Sequence, residues 1–177
     1  MEIIGDRIYL RVLFPGDVGA NYLKWVNDEE TMQFTESKSR VYCLESLKEY
    51  VRNINKSSNG FLFGIFVKKC KEQIGNIKIG SINQIHKFGA VGILVGNKSY
   101  WGKGYGTESL KLVTKHAFEE HNLNKLIAGM NATNVACHKM FMNAGYREVG
   151  RYKRHLLYNG DYIDKILVEK CKADYRS

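Results

Sequence analysis

The chain opens on a two-residue rhythm. In DRIYLRVL (6–13), apolar Ile8, Leu10 and Val12 alternate with polar or charged neighbours, as in a strand with one face buried. Pro15-Gly16 interrupts the pattern, and Asp17 stands where it can cap a helix bearing Ala20, Leu23 and Trp25. In SLKEYVRNI (46–54), Leu47, Tyr50, Val51 and Ile54 recur three or four apart, which predicts a second helix. FLFGIFV (61–67) is a short continuous apolar run, expected of a strand covered on both faces. QIGNIKIGSI (73–82) is a further strand, whose glycines predict a bulge or a close backbone approach. AVGILV (90–95) follows as another buried strand.

Beyond residue 104 the period lengthens. Leu110, Val113, Ala117 and His121 share one helical face, predicting a helix over about 104–120. KLIAGM (125–130) reads as a strand. NVACHKMFMNAGY (134–146) reads as a helix with Val135, Met140 and Phe141 inward and Gly145 as its stop. Two strand-like runs close the chain, joined at Asn159-Gly160, a dipeptide suited to the positive φ angles of a tight hairpin. The order β-α-α-β-β-β-α-β-α-β-β belongs to a mixed α/β domain built around one central sheet. No repeat, linker or low-complexity stretch divides residues 1–177, so one domain is expected.

Between the strand at 90–95 and the helix lies SYWGKGYGTESL (99–110). Its glycines 102, 104 and 106 and Lys103 sit at the head of the helix. The first N–H groups of a helix lack partners and its dipole favours negative charge there. Glycines let a phosphate approach that backbone, and Lys103 adds a point charge. A P-loop is excluded, since Gly102-Lys103 is followed by Gly104 rather than Ser or Thr. A G-x-G-x-x-G fingerprint started at Gly102 fails at Thr107, and it belongs to an early βαβ unit.

Composition narrows the classes only a little. The 177 residues are 44% hydrophobic and 25% charged, ordinary globular usage rather than disorder. No run reaches the ~18 apolar residues of a membrane span, and the N-terminus does not read as a signal peptide. Cys43, Cys70, Cys137 and Cys171 show neither zinc-site pairing nor disulfide density, so no metal is expected and a reducing cytoplasm is the simple location. The net charge of +9 fits a polyanionic partner or a solvated lysine-rich surface, and charge alone does not choose. Only REVGRYKRH (147–155) is dense in cations, without a nucleic-acid-binding motif around it.

The spacing x-G-K-G-x-G-T on a strand–loop–helix resembles the phosphate loop of the GNAT superfamily of acetyl-CoA-dependent N-acetyltransferases, written Q/R-x-x-G-x-G/A. Gly104 and Gly106 take its glycines, and Trp101 departs from its Gln/Arg. NATNVACHKMFMNAGYREVGR resembles the strand and helix that follow, with Asn134 opening the helix and Gly145-Tyr146 closing it. IHKFGAVGILV and YNGDYIDKILVEK fit the branch holding ribosomal-protein N-terminal, spermidine and amino-sugar acetyltransferases. The resemblance spans nearly the whole chain.

The resemblance implies a GNAT fold, with about seven strands in a mixed sheet, about four helices and splayed strands at the cofactor. It implies acetyl-CoA contacts from main-chain groups of Leu94, Val95 and Gly96, from the loop Trp101, Gly102, Lys103, Gly104, Tyr105, Gly106 and Thr107, and from Asn131, Asn134 and Phe141. Leu94 and Val95 serve equally as core, and Asn134 equally as a helix cap. Acyl transfer to an amine needs a proton acceptor and a fixed donor for the developing oxyanion, for which a main-chain N–H near Val95 is the natural choice. The family's usual tyrosine and glutamate positions are Phe141 and Ala90 here. His86, Cys137, Tyr146 and water remain. His86 is of the residue type suited to take a proton, though a structural histidine is the alternative. Cys137 stands near the cofactor sulfur, or merely fills a helix face.

Acceptor contacts are expected from Trp25, Asn27, Phe34, Tyr158 and Asp161, each with packing, capping or turn as its alternative. The implied reaction moves an acetyl group directly to a primary amine. An amino sugar, including a nucleotide-linked one, is the expected acceptor, with a protein N-terminus or a polyamine as alternatives. A protein that holds CoA or nucleic acid without chemistry is the reading of another class, the latter through Arg147, Arg151, Lys153 and Arg154. Nucleic acid and membrane are not the expected partners, and a homodimer stays open.

Overall fold

A computed structural model describes residues 2–175. Among them, eight strands form one sheet in the order β1-β2-β3-β4-β5-β6-β8-β7. The strands are β1 (Glu2–Ile4), β2 (Ile8–Val12), β3 (Phe61–Val67), β4 (Gln73–Asn83), β5 (Phe88–Val95), β6 (Lys125–Asn131), β7 (Arg147–Tyr158) and β8 (Asp161–Cys171). The helices are α1 (Ala20–Val26), α2 (Glu29–Met32), α3 (Leu44–Lys56), α4 (Tyr105–Glu119), α5 (Val135–Asn143) and α6 (Lys172–Tyr175). The strand β1 and the single-turn helices α2 and α6 are additions to the sequence reading, each too short to carry a period of its own.

Two apolar layers sandwich the sheet. On one face Leu110, Val113, Ala117 and Phe118 of α4 and Phe141 of α5 pack on Ile8, Leu10, Phe63 and Ile77. On the other, Tyr22, Trp25 and Val26 of α1 and Leu47 and Val51 of α3 pack on Leu13 and Leu62. β3 contributes Phe63 and Ile65 to the first layer and Leu62 to the second, which is why its sequence is apolar without alternation. The β7–β8 hairpin turns through Asn159 at φ 51° and Gly160 at φ 92°, as the dipeptide implies. Gly145, at φ 83°, ends α5.

Two local expectations give way. Asp17 does not cap α1, which starts after Gly19 with no side-chain cap. Its carboxylate instead accepts from the Phe14 N–H at 2.7 Å and from Arg11 Nη2 at 2.8 Å, closing the 3-10 turn Pro15–Asp17. Val135 is 57% exposed rather than inward, because the first residue of α5 projects beyond the sheet; Phe141, two turns on, is buried.

The sheet positions the site through one break. β5 and β6 are parallel, yet they pair only at Phe88 with Lys125, Gly89 with Leu126 and Ala90 with Ile127. β5 nevertheless continues to Val95 and β6 to Asn131. The two strands part after Ala90, and β5 stays paired with β4 as far as Val95.

At the opposite end, His116 on α4 and His121 lie with Nε2 atoms 3.1 Å apart, beside the rings of Phe63 and Phe61. Burial holds both imidazoles below the usual histidine range; the mutual repulsion adds to the effect at His116, and Glu120 offsets it in part. The unfolded chain therefore takes up protons that the folded pair refuses, so the contribution is full above the unfolded histidine pKa and is lost as pH falls from there through the lowered folded value. The melting temperature is expected to drop between about pH 7.5 and about pH 5.5, and to drop less in His116→Gln. Equal slopes for the two proteins in a thermal-melt series would contradict the assignment.

Candidate active site

The parted strands enclose a cleft of about 490 Å³ between Val91, Gly92, Ile93 and Leu94 on one side and Ala128, Gly129, Met130 and Asn131 on the other. Strand register decides which main-chain groups face it. Gly75 pairs with Val95, and the Gly96 N–H donates across to Ile74 O at 2.9 Å. That pattern makes Gly75–Val95 a non-hydrogen-bonded pair, so the N–H and C=O of Val95 both turn away from β4. By alternation Ile93 does the same, while Leu94 directs its backbone groups to β4. Of the expected trio, Leu94 turns its backbone groups and Gly96 its amide to β4, while Val95 turns away from that strand. Leu94 lines it with a side chain, and the Gly96 amide is already bonded. Ile93 joins Val95, a parity set by the pairing with β4 and invisible in the sequence of β5. Gly96 is glycine because a Cβ there would enter the indole of Trp25.

The carbonyl of Val95 accepts from the Trp101 indole N–H at 2.6 Å. The departure at Trp101 therefore has a defined job: it closes one main-chain acceptor and leaves the Val95 N–H as the strand's remaining polar group there. The connecting turn is held from β4's side. Glu72 accepts from Asn97 Nδ2 at 2.7 Å and from the Tyr100 hydroxyl at 2.8 Å. The glycine loop then reverses through Gly102 at φ 70° and Gly104 at φ 82°. The first intrahelical bond of α4 runs from Glu108 N–H to Gly104 O at 3.0 Å, so the amides of Tyr105, Gly106 and Thr107 precede it. With Lys103 beside them, they form a cationic, bare-backbone nest suited to a diphosphate. A Cβ at Gly106 would run into Met140 Sδ; its absence lets α4 close on α5.

α5 brings its own set to the cleft floor. Asn134 caps the helix, its Oδ1 accepting from the Cys137 N–H at 3.1 Å, and it lines the cleft with Asn131, Cys137 and Phe141. Asn131 Oδ1 is taken by the Thr133 N–H and hydroxyl at 2.8 and 2.7 Å. Burial pushes the Cys137 thiol up to about 11, so near neutral pH it is an S–H donor and no thiolate nucleophile. Tyr146 is core: its hydroxyl shares a 2.8 Å bond with Thr114, and burial raises its pKa.

His86 is a correction. It lies exposed in the turn between β4 and β5, its N–H on Asn83 Oδ1 at 2.8 Å. The strand from Phe88 to Val95 alone rises roughly 23 Å at the usual spacing, which puts His86 too far from that end for a proton relay there.

A further wall of the cleft is built by α2, the segment after it and the β7–β8 hairpin. Phe34 stacks on Tyr158 with centroids 5.5 Å apart, and Glu36 bonds Lys165 at 2.9 Å. Thr31, Phe34, Glu36, Lys78 and Lys165 line the cleft; of these, sequence reasoning named only Phe34. Asp161 is exposed on the hairpin, opposite Tyr158. Two residues expected at the cleft do not line it, Trp25 and Asn27. Trp25 is 7% exposed, packed under Gly96. Asn27 bonds the Tyr42 N–H and C=O at 2.8 and 2.9 Å, tying the loop together. Arg147, Arg151 and Lys153 pair with Glu169, Glu148 and Asp164, which neutralises much of the basic run. Among the described residues, no helix is long and apolar enough to cross a membrane.

Residues 7–147 match the sequence profile of the acetyltransferase (GNAT) domain. The uncharacterized N-acetyltransferase YnaD of Bacillus subtilis is 26% identical, the match covering 93% of this chain and 94% of that protein. The fold superposes on a spermidine N-acetyltransferase of Vibrio cholerae, solved with CoA and spermine, with a TM-score of 0.87, 20% identity and coverage of 98% of this chain and 100% of that one. It also superposes on a ribosomal-protein-S5-alanine acetyltransferase of Vibrio fischeri, with a TM-score of 0.85, 21% identity and full coverage of both chains, 100% each. The expected sheet with splayed strands is thus present, with eight strands where about seven were read.

The two classes of thiol predict a labelling order. Cys43 is exposed at the N-cap of α3, and bonding to the Ser46 N–H and side chain holds its thiol below the usual range. Iodoacetamide near neutral pH is expected to alkylate Cys43 at least about tenfold faster than Cys137, read by peptide mass spectrometry. Equal rates would refute the burial of Cys137.

Proposed function

The chain belongs to the acetyltransferase (GNAT) domain family, and within its N-acetyltransferase activity we propose an acceptor that presents one primary amine and no further positive charge. The observation that carries the reading is the fork: a cleft between β5 and β6 with the Val95 N–H facing it and the anion nest of α4 one turn away. The residues fit acetyl-CoA on three counts. The amides and Lys103 of the loop Trp101 to Thr107 would hold its diphosphate. Ile93 and Val95 offer main-chain groups to the amide-bearing arm, in the manner of an added strand. Asn134 and Asn131 stand at the cleft floor.

When bound, acetyl-CoA supplies a thioester whose acetyl carbon a neutral amine can attack. The Val95 N–H is the fixed donor for charge developing on the acetyl oxygen. Cys137, held as a thiol, stands by as a hydrogen-bond donor toward sulfur. Phe141 gives the floor an apolar wall. With Phe141 and Ala90 at the family's acid–base positions and His86 remote, the amine's proton leaves to water, and the cleft favours this electrostatically. Lys78 and Lys165 outweigh Glu36 along the lining, and Glu36 is held below the usual carboxylate range by Lys165. Cations nearby disfavour the ammonium form.

The same charges oppose a polyamine. Structural neighbours are named for spermidine and for a ribosomal protein; neither name supports an amino sugar. The stacked pair Phe34–Tyr158 suits a sugar ring or a peptide end, including a nucleotide-linked sugar. A cytoplasmic setting fits such acceptors, and the oligomeric state is a separate measurement.

With acetyl-CoA and thiol release as the readout, an alanine-initiated peptide or an amino sugar is expected to turn over at least about tenfold faster per KM than spermidine. Fastest turnover on spermidine would overturn the charge argument. Gly104→Val places a β-branched residue at φ 82°. That strain costs about 1–2 kcal/mol, within the 5–15 kcal/mol or so of an ordinary domain, so the fold survives. CoA affinity by calorimetry is expected to fall by more than about tenfold, and unchanged affinity would remove the loop from the site.

A further inference from the structure

The glycine loop contains a peptide with two available orientations. Rotating the Lys103–Gly104 peptide by half a turn changes chiefly the ψ of Lys103 and the φ of Gly104, and glycine accepts either sign of φ. In one orientation the Gly104 N–H joins the nest at the head of α4. In the other the Lys103 carbonyl points there and repels an anion. The loop's own residues do not choose between them.

Arg7 does. Its Nη1 donates to Lys103 O at 2.9 Å, and its Nε donates to Glu108 Oε2 at 3.0 Å. The guanidinium lies over the Tyr105 ring, 4.5 Å from the centroid. Its Nη2 lies 3.3 Å from where a Cβ of Gly104 would stand. The arginine is itself fixed to α4, because Glu108 Oε1 accepts from the Arg7 N–H at 2.8 Å and the Ile8 N–H at 3.3 Å. Gly5 makes that approach possible: a Cβ there would fall 2.8 Å from Glu108 Oε1. The turn between β1 and β2 is thus bolted to the first turns of α4, about a hundred residues later in the chain.

We propose that Arg7 is a positioning residue for the cofactor's diphosphate: by holding the Lys103 carbonyl outward it locks the Gly104 N–H into the nest. A peptide's C=O and N–H point in opposite directions, so engaging one aims the other. The planar fork of arginine allows Lys103 O and Glu108 to be held at once, which a lysine ammonium on a flexible stem does not reproduce. Trp101 stands where the family motif has Gln or Arg, and Arg7 supplies a guanidinium to the same loop from the other end of the chain.

The inference rests on the acetyl-CoA reading above, and one experiment separates the two. CoA affinity is measured by calorimetry on the wild type, Arg7→Gln and Arg7→Lys, with KM for acetyl-CoA and for the acceptor amine beside it. Both variants are expected to bind CoA about tenfold more weakly. KM for acetyl-CoA should rise in step while KM for the amine holds. Glu108 keeps its two backbone donors in each variant, so folding is retained and checked by thermal melt. Wild-type affinity in Arg7→Lys would reduce the role to charge and overturn the lock. Wild-type affinity in Arg7→Gln, or an equal rise in both KM values, would overturn any positioning role. A wild-type protein that does not bind CoA would overturn the acetyl-CoA reading and this inference with it.

Discussion

β5 has to leave β6 after Ala90 while staying paired with β4 as far as Val95. An unpaired strand edge inside a sheet is costly unless something covers its polar groups. Here the coverage is partial and specific. The indole of Trp101 takes the Val95 carbonyl, Gly96 turns its amide to Ile74, and the Val95 N–H is left facing the cleft. Everything else in the site is arranged around that gap: α4 fills the crossover between the parting strands, α5 floors the cleft, and the hairpin β7–β8 flanks it.

The loop at the head of α4 is the second half of the same construction, and it is not self-supporting. Glycines at 102 and 104 give it its left-handed corners and also make it deformable. The fold compensates with side chains from distant elements. Glu72 holds Asn97 and Tyr100 from the start of β4; Arg7 holds Lys103 from the β1–β2 turn. Flexible backbone at an anion site thus requires rigid anchors elsewhere, and both anchors are charged groups acting through pairs of hydrogen bonds.

What was legible in the sequence follows from this division. The strands β2, β3 and β4, the helix α4 and the Asn159-Gly160 turn are set by local periodicity and local chemistry, and the glycine spacing shows through because backbone access needs glycine at particular positions. Arg7 and Glu72 were not legible, since nothing near either residue hints at partners 96 and 28 positions away. The direction of the Leu94 and Gly96 amides was hidden for a different reason: which side a strand's N–H faces depends on the register of its neighbour, and a one-residue change in parity exchanges Leu94 for Ile93. His86 failed on direction. The sequence placed it on entry to β5, but the fork opens at that strand's exit.

The charge of the chain acquires a local meaning from these contacts. Much of the surplus that reads as a basic strip on β7 is matched within the hairpin by Glu148, Asp164 and Glu169. Two cations, Lys78 and Lys165, line the cleft with one carboxylate, Glu36, which Lys165 engages. An amine that enters there loses hydration and meets positive neighbours, and both effects lower its pKa. On the proposed reading, such a site delivers a neutral nucleophile without a dedicated base, consistent with Phe141 and Ala90 standing where the family resemblance leads one to expect acid–base groups. On that reading the cleft's electrostatics, rather than a single titrating side chain, selects the amine and makes it reactive.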